Sequence, residues 1–152
     1  MTTAEFDQDS TMMTRSLFCA ALLIPTLACA ANAGVAWTAT TERGLPVYSI
    51  GTMDAGVRLV CDPDRIFGGS SNASVIATFP KDKAPDVIVF LAKTGEQARL
   101  PVKDGLALQH DAQVAEWSKM IAIVKAGGSF AVVTSTDSLS FETEAMPDLA
   151  CE

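Results

Sequence analysis

The chain has 152 residues, with 11 basic against 18 acidic side chains, a formal net charge of −7, and 49% hydrophobic residues. That acidic balance excludes the electrostatic footprint of a nucleic-acid binder, which concentrates Lys and Arg on one face. It also argues against docking on an anionic membrane surface.

The first ten residues carry Glu5, Asp7 and Asp9, the wrong sign for the start of an export signal. Met12 or Met13 gives a conventional start, with Arg15 as the leading positive charge. Leu17 to Ala28 is then an apolar run of signal-peptide length, and no charged residue follows until Glu42. Ala28-Cys29-Ala30 and Ala31-Asn32-Ala33 both fit the small-x-small pattern that signal peptidase accepts. A membrane anchor needs about 20 strongly apolar residues, whereas the second half of this stretch is Ala, Asn and Gly with Pro25 in the middle. Lipidation at Cys29 is disfavoured by Thr26, which stands where such a motif wants Leu. Residues 1–33 therefore read as a disordered start plus a cleaved signal peptide, and residues 34–152 as a single β-rich domain. The expected location is periplasmic or secreted, with no stable membrane insertion after cleavage. From Gly34 onward the chain keeps ten basic and fifteen acidic residues, and its length suffices to bury about two-thirds of its unfolded surface.

Four cysteines are present, but Cys19 and Cys29 fall in the leader. Cys61 and Cys151 remain as an even pair in a chain bound for an oxidising compartment, and a disulfide between them is predicted. Zinc is disfavoured, because two distant cysteines and His110 fall short of a tetrahedral set. A redox pair would want C-x-x-C, which is absent.

Short β-like runs separated by turn residues follow from Trp37. "AWTATT" and "LPVYSIG" come first, closed by Gly51. "GVRLVCDPDR" alternates Val57, Leu59 and Cys61 on one face before a turn at Asp62-Pro63-Asp64. "FGGSSN" is a loop by composition, and "ASVIATF" puts Val75, Ala77 and Phe79 on one side. The continuous run "VIVFLA" reads as a central strand buried on both faces. "ARLPVK" and "LALQ" flank Asp104-Gly105, a hairpin dipeptide. "DAQVAEWSKMIAIVKAGG" breaks the series with helical spacing of Val114, Trp117, Met120, Ile121 and Val124. The expected helix spans about 111–126, with Asp111 as N-cap, Lys125 in the last turn and Gly127 at the C-cap. "SFAVVTST" and "SLSFETE" close the domain. One helix cannot supply the crossovers of a parallel sheet. The expected fold is mainly β, an antiparallel β-sandwich or barrel with one α-helix.

Each candidate for chemistry has a plain structural alternative. His110 beside Asp111 has the residue types of a general base oriented by a carboxylate, yet a junction histidine in solvent accounts for it as well. Glu142 and Glu144 share a strand face with Ser140 and resemble an acid/base pair, or simply the wet side of an amphipathic strand. Gly68 to Ser71 could form an anion-cradling nest of N–H groups but lacks the rest of a phosphate loop. Asn72-Ala73-Ser74 has the form of a glycosylation acceptor. Asp54, Asp62 and Asp64 do not have calcium-loop spacing. Trp37, Tyr48 and Phe67 are candidate interaction-surface aromatics, with core packing as the alternative.

A tryptophan soon after the cleavage site, Leu59-Val60-Cys61 in an early strand, Ala126-Gly127-Gly128 before two closing strands and a late Cys151 together carry a resemblance. The chain resembles the invasion-associated locus B family of secreted bacterial proteins. The resemblance implies a β-sandwich envelope protein that binds rather than catalyses.

These readings converge on a non-enzymatic β-domain that takes a protein or cell-envelope partner, an inhibitor of a secreted hydrolase being one form of it. No cofactor is expected. A small-molecule carrier is the alternative, followed by a hydrolase using His110, Glu142 or Glu144.

Overall fold

The computed structural model describes residues 35–65, 73–146 and 149–151. The expectations for the leader 1–33 and for Phe67 and the Gly68–Ser71 loop lie outside the described residues. Among those described, nine strands and one helix occur in the order β1 (Thr38–Glu42), β2 (Leu45–Gly51), β3 (Gly56–Cys61), β4 (Ala73–Thr78), β5 (Val87–Ala92), β6 (Gln97–Pro101), β7 (Ala107–Leu108), α1 (Val114–Ala126), β8 (Gly128–Val133) and β9 (Ser138–Thr143).

The strands form two antiparallel sheets, β1-β2-β3-β4-β7 and β6-β5-β8-β9, consistent with a β-sandwich. The expected mainly-β, one-helix class is thus the observed one. Alternation sends one set of side chains from each sheet into a shared core. The first sheet contributes Tyr48, Ile50, Val57, Leu59, Cys61, Val75 and Ala107; the second contributes Ile88, Phe90, Ala98, Leu100, Phe130, Val132, Leu139 and Phe141. Phe130 anchors an aromatic cluster, stacked with Trp37 and Phe90 at 6.3 Å and tilted against Phe141 at 5.3 Å. Arg43-Gly44, with φ of +51° and +85°, turns β1 into β2 through a two-residue hairpin.

Helix α1 packs chiefly on β6 and turns Trp117, Met120, Ile123 and Val124 into the core. Two features differ from the sequence reading. Val114 is 83% exposed, and Ile123 takes the buried place assigned to Ile121, because the helix begins at Val114 and meets the core only from its second turn. Asp111 is not the N-cap. Residue 113 occupies that position without a side-chain cap, and the Asp111 carboxylate is engaged by Lys103 at 3.1 Å. The C-terminal end is as expected, with Lys125 in the last turn and Gly127 at φ +69°. A Cβ on Gly127 would lie 2.5 Å from the Ala145 nitrogen, so the returning chain needs that space.

Asp104-Gly105 does turn the chain, with reciprocal N–H···O bonds of 2.9 Å between Lys103 and Leu106. The flanking strands part at once, however: β6 joins the second sheet and β7 pairs with β4 in the first.

The Cys61–Cys151 disulfide joins β3 to the last described residues. Both cysteines are buried, and the Ala150 N–H donates to the Tyr48 hydroxyl at 3.1 Å beside them. At the other end of the described chain, the Val35 N–H donates to the Glu142 carbonyl at 2.8 Å, along β9.

Candidate functional site: an open sheet face

Strand alternation gives the second sheet an outer face turned away from the shared core and bordered on its β6 side by the start of α1. On β5, Ile88 and Phe90 point inward at 1% and 0% exposure, which leaves Val87, Val89 and Leu91 pointing out. Leu91 is 40% exposed. The expectation that "VIVFLA" is a central strand holds for its position, between β6 and β8, but only one of its faces is buried. A run without alternation in an antiparallel sheet has an apolar side to spare.

The register assembles that side into rows. One row reads Arg99, Val89, Val133, Ser138 across β6, β5, β8 and β9. The next reads Gln97, Leu91, Ala131, Ser140. Pro101 and Val87 extend the face at one end. Ser129 and Glu142 extend it at the other, where the Lys93 N–H donates to the Ser129 carbonyl at 3.0 Å. In these two rows the central columns, β5 and β8, are apolar and the flanking columns, β6 and β9, polar. Shallow depressions of about 500 Å³ and 470 Å³ lie at its two ends, the first over Leu91, Ala131 and Glu142 and the second over Val87, Val89 and Val133.

A third depression, of about 630 Å³, lies along the β6 margin against the start of α1. Here the Arg99 N–H donates to the Glu116 carboxylate at 2.7 Å, and Lys119 donates to its other oxygen at 2.8 Å. The Lys119 ammonium, followed by the Arg99 amide, holds the Glu116 carboxyl below its ordinary range. The arrangement spends a side chain on a sheet-edge N–H and closes that margin to strand addition.

Of the residues singled out in the sequence, Glu142 lies at one end of the open sheet face. Trp37 is half-buried and stacked on Phe130, while Tyr48 is 7% exposed with its hydroxyl accepting from the Ala150 N–H. His110 is exposed, with Nε2 at 3.4 Å from Asp111 Oδ1, a carboxylate it shares with Lys103. Glu142 and Glu144 are exposed, while Leu139, Phe141 and Thr143 alternate inward. Among the described residues, no three His, Cys, Asp or Glu side chains gather as a metal site would require. Ser74, of the glycosylation triplet, lies within β4.

A separate groove of about 550 Å³ runs between α1 and the C-terminal segment, lined by Gln109, Trp117, Ser118, Ile121, Ala122, Lys125 and Cys151. Trp117 Nε1 and Gln109 Oε1 are buried there without hydrogen-bond partners.

The disulfide hints at an oxidising compartment, and among the described residues no helix is long and apolar enough to cross a membrane. The chain matches no known family model, curated protein or solved structure.

Proposed function

We propose that this chain is a periplasmic or secreted, non-enzymatic β-domain that binds a protein of the cell envelope through the outer face of its four-stranded sheet. The observation that carries this reading is the apolar centre of Val87, Val89, Leu91, Ala131 and Val133 inside a polar frame. An apolar core within a polar rim is the anatomy of a protein interface. Valine and alanine side chains on a strand backbone held by its ladder also have few rotamers to lose on binding, which favours association. The reading takes in kinship with the invasion-associated locus B family, proposed on Trp37, Leu59-Val60-Cys61 and Cys151. The hydrolase-inhibitor form rests on the acidic balance of the domain, ten basic against fifteen acidic residues from Gly34 onward, which would draw a basic enzyme.

Affinity capture from envelope extract of its own host, with the wild-type protein and Leu91→Lys side by side, tests this. Leu91 is already at the surface, so the variant keeps the fold. Material retained by wild type and lost by the variant supports the reading; equal retention, or none, refutes it.

A carrier role is favoured by one specific observation, the unpartnered Trp117 and Gln109 atoms beside the α1 groove. Native mass spectrometry of the freshly isolated protein decides it, through the presence or absence of a bound small molecule.

A further inference from the structure

We propose that the occupant of the open face is a second copy of this chain, in a two-fold dimer whose axis runs parallel to the strands. The inference rests on the reading of that face as a binding surface and names its partner. Two-fold interfaces use the same patch on both subunits, so the patch must be complementary to itself. The rows of this face meet that condition.

A two-fold axis along the strands lays β6 of one copy over β9 of the other, and β5 over β8. The row Arg99, Val89, Val133, Ser138 then meets its own reverse. Valine lies on valine, and each arginine faces a serine. In the next row Leu91 of one copy meets Ala131 of the other, the largest side chain of the row against its smallest. Gln97 meets Ser140. At the end of the face, Lys93 of one copy comes over Ser129 of the other, one strand from Glu142. An exposed cation and an exposed anion become neighbours, twice by symmetry. No like charges face each other in these rows.

The alternative in-plane axis, perpendicular to the strands, lacks this match. It would set Lys93 over Val87 and leave Leu91 against Val89, charge on apolar surface and bulk on bulk.

Four strands about 4.8 Å apart and four rows about 7 Å apart give a plan area near 500 Å² per copy, or about 1,000 Å² in total. That is the low end for specific association, so the dimer is expected to dissociate in the micromolar range.

Sedimentation velocity on the purified protein across the micromolar range provides the test. The expected result is a concentration-dependent dimer, weakened about tenfold or more by Leu91→Lys. Lys93→Glu should weaken it as well, and the charge-swapped Lys93→Glu/Glu142→Lys should restore it. A monomer at every concentration overturns the proposal, as does a dimer indifferent to both Leu91→Lys and the charge swap. If the protein is monomeric yet Leu91→Lys still abolishes envelope capture, the binding reading stands and only the second-copy inference falls. Loss of both results removes both.

Discussion

Replacing the disulfide pair by Cys61→Ala/Cys151→Ala should remove a large share of the domain's stability. The bond closes a loop with a sequence separation of 90. In the chain-entropy treatment a loop of that length contributes about 4–5 kcal/mol by restricting the unfolded chain. Small domains have only about 5–15 kcal/mol in all, so the variant should be partly unfolded in warm conditions. Alanine is the right replacement because Cys61 is 0% and Cys151 4% exposed, and serine would bury two new hydroxyls. With a urea slope of about 1.5 kcal/mol per molar, the unfolding midpoint should fall by about 3 M. The assay is equilibrium urea unfolding followed by near-ultraviolet circular dichroism, for oxidised wild type and for the variant. Met146, Leu149 and the Ala150–Tyr48 hydrogen bond keep the tail against the core independently of the bond. The loss should therefore appear in the global transition, with a slope that rises as the unfolded chain, freed of its cross-link, exposes more surface. A midpoint lowered by less than about 0.5 M would refute the reasoning, because the bridge would then act on a tail that frays freely.

Gly127→Ala should destabilise by at least about 2 kcal/mol, since it combines a left-handed φ with a backbone clash at Ala145; a thermal melt checks it. Trp37→Phe should be neutral or slightly stabilising in urea, because the stack on Phe130 is kept while a buried indole N–H without a partner is removed. Asp137→Asn should narrow the stability range in a pH-dependent way. The Lys81 N–H, at 2.7 Å, and then the Ser138 and Asp82 N–H groups hold the Asp137 carboxyl below its ordinary range. A lowered folded pKa stabilises fully above the ordinary value near 4 and is lost as pH falls through it toward the folded one. The gap in melting temperature between wild type and Asp137→Asn should therefore be full at neutral pH and close in acid.

Strand positions were legible because they depend on local alternation and on turn residues. "LPVYSIG" and "VIVFLA" coincide with β2 and β5. The disulfide was legible from cysteine arithmetic once the leader had been set aside. Other features depended on distant parts of the chain. The Asp104-Gly105 turn was readable, but the strand partner of β7 was not, because β4 competes for it from the other sheet. Asp111 carries good N-cap chemistry, yet Lys103 draws its carboxylate away and residues 109–112 turn instead of beginning the helix. The open face was written in "VIVFLA" and "FAVV" as apolar character on both sides of a strand. Periodicity reports that such a surface wants covering; it does not say what supplies the cover.

The exchange of strands between the sheets also bears on how quickly the domain forms. β1 to β4 are an antiparallel meander in which each strand pairs with the one before it. The second sheet is complete only when β8 meets β5, pairing Val133 with Val89 across β6, β7 and α1. Closing so long a segment costs entropy before any contact compensates it, and domains dominated by such pairings fold in about milliseconds to seconds. The meander is thus expected to assemble early and wait for its lid. During that interval the inner faces of both sheets are open to water, which gives a holdase chaperone its window and aggregation its chance.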